Sequence, residues 1–248
     1  MTKSLGIIGY GRMGRLLAKL LRDDFMVKAY DSAVKIQGCG RRVVSSPLSV
    51  AASCDIVVFC VPIRALSATL RRSSRHIKKG SLVADICSVK EYPVRLMRDI
   101  LPSHCEIIGA HPLFGPSSYG DSSALKIVLC PVRIGNPRRI RNYLKNKGFQ
   151  TIVSTPRRHD RVMARVLNLP QLIGRALAGL EPKSRNLSSS DKNMTTCNYK
   201  RLLAIANSAA ADSRQLFADI HKYNRFARPM AEKFSGKITG LLDKEYDS

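Results

Sequence analysis

The chain has 248 residues, 44% of them hydrophobic, with 42 lysines and arginines against 18 acidic residues and a formal charge of +24. That length buries a substantial core in one large or two small domains. No apolar run approaches the roughly 20 residues of a membrane-spanning helix, and no secretory leader is read at an N-terminus that passes from Met1 almost directly into an apolar strand.

In chain order, Leu5 to Gly9 reads as a short apolar strand entering a glycine turn, and Gly11 to Asp23 as a helix with Met13, Leu16, Leu17, Leu20 and Leu21 at helical spacing. Met26 to Asp31 is the next strand. Asp55 to Pro62 is a near-continuous apolar run of the kind that suits a parallel strand covered on both faces. Ser81–Cys87, Glu106–His111, Lys126–Cys130 and Phe149–Ser154 repeat the strand pattern, with helices such as Lys90–Leu101 and Pro137–Lys147 between them. This alternation predicts an α/β fold with a doubly wound (Rossmann) parallel sheet over residues 1–155. From Arg158 to Leu180 one long helix is expected, kinked at Pro170. Glu181–Thr196 reads as a polar loop, and Tyr199–Tyr223 and Ala227–Tyr246 as two further helices, so residues 156–248 form a smaller all-helical domain. Its apolar faces are expected to pack on the first domain or to make a homodimer.

Seven cysteines, an odd number without a C-x-x-C pair, several inside apolar runs, read as buried thiols of a reducing, cytoplasmic compartment and not as a metal or disulfide framework. Basic residues run along the whole chain without a basic tail, a zinc-finger spacing or an aromatic stacking motif. That pattern suits a solvated basic surface that holds polyanions weakly, not specific nucleic-acid recognition.

Gly9-x-Gly11-x-x-Gly14 follows a strand and opens a helix. In that context Gly9 permits the tight turn, Gly11 leaves room for a pyrophosphate, and Gly14 lets helix and strand approach. The first N–H groups of the helix, around Arg12 and Met13, face the phosphates. Asp31, at the end of the second strand, is placed to hold the ribose hydroxyls and to repel a 2′-phosphate. NAD is therefore expected over NADP, although Lys35, Arg41 and Arg42 nearby would tolerate a phosphate. Val61 and Pro62, closing the DIVVFCVP run, complete the expected cofactor set.

Two further strand ends carry a family signal: Asp85-Ile86-Cys87-Ser88-Val89-Lys90 and His111-Pro112-Leu113-Phe114-Gly115-Pro116, followed by His159-Asp160 at the start of the helical region. With the glycine turn, these segments resemble the prephenate/arogenate dehydrogenases. Gly174-Arg175-x-Leu177, Tyr199-x-x-Leu202-Leu203, Asp212-Ser213 and Tyr223-Asn224 are similar to the plant arogenate enzymes. The resemblance implies NAD-dependent oxidative decarboxylation of a cyclohexadienol, arogenate or prephenate, to tyrosine or 4-hydroxyphenylpyruvate. His111 would be the general base, and Ser88 would bind the substrate hydroxyl or orient the imidazole. Ser88 also stands where it would cap the helix beginning at Lys90, Lys90 reads as a first-turn surface residue, and His159-Asp160 as a possible cap of its own helix.

Two positions depart from the pattern. Gln171 replaces a histidine common in the kinked helix, and Asn207-Ser208 stand where bacterial prephenate-specific members carry an arginine. The resemblance then assigns substrate contacts to Gln171, Asp160, Lys200 and Ser208. It leans toward arogenate, whose amino group Asp160 would meet, with Lys200, Arg165 or Arg175 as alternative sources of positive charge. A β-hydroxyacid dehydrogenase-like enzyme, or a catalytically retired Rossmann protein binding nucleotide or nucleic acid, is the alternative.

Overall fold

The computed structural model describes residues 3–37, 42–116, 119, 125–180 and 193–246. They divide into two compact units, Met1–His159 and Asp160–Ser248.

The first unit is built on an eight-stranded sheet in the order β3-β2-β1-β4-β5-β6-β7-β8. Its strands are β1 (Ser4–Ile8), β2 (Met26–Tyr30), β3 (Val43–Ser45), β4 (Ile56–Phe59), β5 (Leu82–Asp85), β6 (Glu106–Pro112), β7 (Leu125–Arg133) and β8 (Phe149–Val153). Helices α1 (Arg12–Leu21), α2 (Leu48–Ala52), α3 (Ile63–Ser74), α4 (Glu91–Ile100) and α5 (Pro137–Asn146) connect them. The alternating side chains of each strand feed two apolar layers. Leu5, Ile7, Val27 and Val58 face Met13, Leu16, Leu17 and Leu20 of α1 and Ile140 and Leu144 of α5. On the other face Ile8, Val57, Phe59 and Val83 meet Leu66 and Leu70 of α3 and Val94 and Met97 of α4. Each fully buried aliphatic side chain of this kind contributes about 1.5–3 kcal/mol.

The doubly wound sheet is therefore present, with one correction to its direction: β6 and β7 pair antiparallel, and β8 runs parallel to β7. Among the described residues no helix stands between β6 and β7 to serve as a crossover for a parallel return.

In the second unit the expected long helix is three pieces. After α6 (Pro156–Met163), which begins in the first unit, the backbone makes a π-turn at Ala164–Asn168 before α7 (Leu169–Leu180). Pro170 explains it: the ring has no N–H to give Val166 and would clash with that carbonyl, and a widened turn relieves both. The expected helix at Tyr199–Tyr223 is divided into α8 (Cys197–Ala211) and α9 (Arg214–Tyr223). Ser213 breaks it by capping α9, its hydroxyl accepting from the Leu216 N–H at 3.0 Å. Helix α10 (Ala227–Tyr246) closes the chain. Gly174 sets the close packing of α7 on α8, where an added Cβ would lie 2.7 Å from the Ala209 methyl. Most of the expected Glu181–Thr196 loop, and Arg41, lie outside the described residues. Among the described residues no helix is long and apolar enough to cross a membrane.

Candidate active site

The glycine turn lies at the carboxyl end of β1. Gly9 adopts φ +103°, and an added Cβ there would sit 2.6 Å from the Cys60 carbonyl oxygen. Only glycine takes that conformation without strain. A Cβ on Gly14 would lie 2.1 Å from the Gly9 carbonyl oxygen, so this residue lets α1 start close against the turn. Around Gly11, by contrast, nothing lies within 4 Å of an added Cβ. Gly11 is the N-cap of α1 and offers no side-chain cap. The leading N–H groups at Arg12 and Met13 therefore border open space at the positive end of a helix, as an anionic pyrophosphate requires. Arg12 is exposed and Met13 half-buried.

Asp31 follows β2 directly. Its Oδ2 accepts from the Tyr10 N–H at 2.6 Å, and its Oδ1 from the N–H groups of Ala33 and Val34 at 2.8 and 3.0 Å. Burial pushes the carboxyl up, but these three donors and the nearby Arg15 outweigh it and hold it below the usual range. The residue is thus an oriented carboxylate at the edge of the site. Val61 and Pro62 stand at the end of β4, with Pro62 as the N-cap of α3. The phosphate-tolerant neighbours expected from sequence are only partly engaged there. Lys35 lines a basic groove with Arg15, Lys19 and Arg22, while Arg42 donates to the Asp23 carbonyl at 2.6 Å.

His111 lies near the carboxyl end of β6. That strand runs parallel to β1 and three places from it, about 14 Å across the sheet. The imidazole is 6% exposed. Its Nδ1 is 2.8 Å from Nε2 of His159, a residue of α6 that is itself buried at 2% exposure. The rings meet edge to face, with centroids 5.0 Å apart. The Nε2 of His111 takes part in no hydrogen bond among the described residues. Burial, and then the positive charges of His159 and Lys90, push the imidazole well below its ordinary pKa.

His159 therefore has a place that the capping expectation missed. The hydroxyl of Thr155 starts α6 by accepting from the Arg158 N–H at 3.2 Å, while His159 turns inward. No hydrogen bond joins Ser88 to His111 among the described residues, so the group that orients the imidazole is His159. Ser88, half-buried, stands in the turn between β5 and α4, on the strand beside β6. It does not cap α4: the N-cap is Lys90, with no side-chain cap hydrogen bond.

Lys90 is the largest correction. It is 0% exposed, not a surface residue. Its ammonium pairs with the Asp85 carboxylate and donates to the Ala110 carbonyl at 2.7 Å. Gly109 makes the room, since a Cβ there would meet the Lys90 Cδ at 3.1 Å and Val94 at 2.9 Å. Two lysine-sized spacings in one D-x-x-S-x-K turn do not reveal which way the side chain points; only the packing of β6 does.

In the helical unit, Gln171 is buried and donates to Asp212 Oδ2 at 2.9 Å, leaving its own Oε1 buried without a partner. Arg175 donates to the Asp212 and Ser213 carbonyls. Asp160 is fully buried, and its carbonyl accepts from Asn224 at 2.8 Å. Lys200 and Ser208 are both exposed on α8, about two turns apart.

A sheet that offers an open helix N-terminus at one strand end and a buried imidazole three strands away is built as the dinucleotide-binding dehydrogenases are. Residues 26–138 match the family model described as prephenate dehydrogenase, nucleotide-binding domain, and residues 184–244 match one described as TYRAAT1-like, C-terminal domain. The chain is similar to the prephenate/arogenate dehydrogenases along most of its length. It is 28% identical to arogenate dehydrogenase 2, chloroplastic, of Arabidopsis thaliana, over 98% of this chain and 72% of that protein. It is also 28% identical to the probable arogenate/prephenate dehydrogenase of Methanocaldococcus jannaschii over 73% of this chain, but spans only 41% of that relative's length. The fold is shared with a crystal structure of Aquifex aeolicus prephenate dehydrogenase in complex with hydroxyphenyl propionate and NAD+. That comparison gives a TM-score of 0.73 and 21% identity, covering 100% of this chain and 93% of that one.

Proposed function

We propose that this chain is an NAD-dependent dehydrogenase that oxidatively decarboxylates arogenate or prephenate, with His111 as the general base. The observation that carries the reading is the buried His111–His159 pair on the sheet edge that also bears the open glycine turn.

If the Nδ1–H of His111 donates to His159, the Nε2 lone pair of His111 is left to accept a proton. His159 thereby fixes the orientation and tautomer of the His111 ring, the positioning part that a carboxylate plays in a catalytic triad. Ser88, on the neighbouring strand end, binds the substrate hydroxyl in this reading. The dinucleotide, held at Gly9, Gly11, Arg12, Met13, Gly14, Asp31, Val61 and Pro62, supplies the hydride acceptor. Loss of the ring carboxylate as carbon dioxide restores aromaticity and drives the reaction forward.

Asp31 supports NAD over NADP, because a fixed carboxylate repels a 2′-phosphate. Gln171, and Asn207-Ser208 where an arginine would suit a keto-acid side chain, support arogenate over prephenate. Asp160, Lys200 and Ser208 remain in the proposed substrate set on the resemblance alone. NADH formation measured with arogenate and prephenate, each with NAD and NADP, tests the reading. Turnover is expected with NAD, and faster with arogenate. Absence of turnover in all four combinations would refute it. In that event, salt-dependent polyanion binding at the cavity of about 610 Å³ lined by Arg71, Arg72, Arg75 and His76 becomes the better account.

Leu202, Ile205, Ile238, Leu241 and Leu242 stand exposed on α8 and α10, which supports a homodimer formed through the helical unit. Sedimentation equilibrium is expected to give twice the mass of one chain; a single-chain mass at micromolar concentration would exclude the dimer.

A further inference from the structure

The Lys90–Asp85 pair lies where no substrate or cofactor contact has been assigned, yet both side chains are fully buried. An ion pair sealed in an apolar sheet is costly to desolvate and gives little net stability, so its presence beside a reactive group calls for a reason. Here the geometry supplies one. The ammonium reaches from the β5–α4 turn across to β6 and holds the Ala110 carbonyl at 2.7 Å, one residue before His111. Asp85 is tied in turn to the same turn by the Cys87 N–H at 3.0 Å. The turn that carries Ser88 and the strand end that carries His111 are thus clasped by a single charged group.

We propose that Lys90 is a positioning residue: its clasped ammonium locks the end of β6 and, as a fixed cation beside the imidazole, makes a second positive charge on His111 unfavourable. The proposal rests on the reading of His111 as the base.

The groups that bear on His111 electrostatically are few. His159 faces it from α6, Lys90 from the β5–α4 turn, and Asp85 stands behind Lys90. Across the β6–β7 ladder, His111 pairs with Val128, between Ile127 and Leu129, none of which titrates. The Cys60 and Cys87 thiols near Asp85 are pushed up by burial and stay uncharged. With Lys90 present, the imidazole keeps its lone pair at neutral pH, and a proton accepted from substrate is released readily afterwards.

The test compares wild type with Lys90→Met and with Lys90→Met/Asp85→Asn. The double variant leaves no unpaired buried charge if the single one fails to fold. The His111 titration is followed by histidine NMR in the NAD complex, and the pH profile of kcat/KM is recorded beside it. Removing the cation is expected to raise the His111 midpoint by about one pH unit and to carry the acid limb of the profile with it, while activity on the plateau above it changes only a few-fold. A merely structural lysine would lower activity at every pH and leave the midpoint where it was, and that result overturns the proposal. The reading beneath it fails separately: it falls if His111→Ala turns over normally, even where the NMR midpoint has moved as expected.

Discussion

His111→Ala is expected to lower kcat/KM for NADH formation about 10³-fold, within the range general-base removal produces, while NAD binds as before. The argument is local. The imidazole sits at the carboxyl end of β6, three strands from the glycine turn, so its loss leaves that turn untouched. Burial and the neighbouring His159 and Lys90 hold its pKa well below the ordinary imidazole value, so the ring is unprotonated at neutral pH. The sign follows: kcat/KM is flat through pH 7 and falls only as the solution is acidified past the lowered value, and in the alanine variant that acid limb disappears. His159→Asn removes the orienting ring nitrogen and keeps His111, and should cost less, about ten-fold, mostly in kcat. Fluorescence titration with NADH checks that binding is retained. Unchanged turnover in His111→Ala would remove this residue from the chemistry.

The second large effect separates fold from cofactor within one motif. Gly9→Ala should destabilise the chain by about 3 kcal/mol and abolish measurable NAD binding. The new Cβ meets the Cys60 carbonyl at 2.6 Å, and the backbone at φ +103° strains any L side chain. Gly11→Ala, two residues away, adds a methyl to empty space and should melt within a degree or two of wild type. If the pyrophosphate occupies that space, NAD affinity still falls, on the order of ten-fold, because the methyl keeps the anion from the α1 N–H groups. Thermal denaturation with and without NAD reads both numbers. Normal NAD affinity in Gly11→Ala would place the phosphates elsewhere.

Much of the first unit was legible as sequence. Runs such as DIVVFCVP and SLVADIC signal buried strands because a strand covered on both faces needs apolar residues at every position. The glycine turn is legible because its spacing answers a local steric demand. Ser213 left a signal that could have been used: a serine three residues before Leu216 is an ordinary N-cap, and it divides what the apolar spacing alone joins into one helix. The reversal of β7 was harder to see. A strand covered on both faces looks alike in either direction, and only the short stretch of chain between Pro112 and Leu125 hinted at it.

By itself, then, the sequence determined most of the order of strands and helices in the first unit and the glycine turn, and it marked His111 as the candidate base. These depend on residues a few positions apart, whose sterics and periodicity act before the chain is folded. Only the tertiary structure decided that His111 meets a ring 48 residues away and that Lys90 turns inward to Asp85. Both outcomes depend on burial, and burial belongs to the packed sheet: a lysine or histidine leaves water only when strands and helices from elsewhere supply its partners.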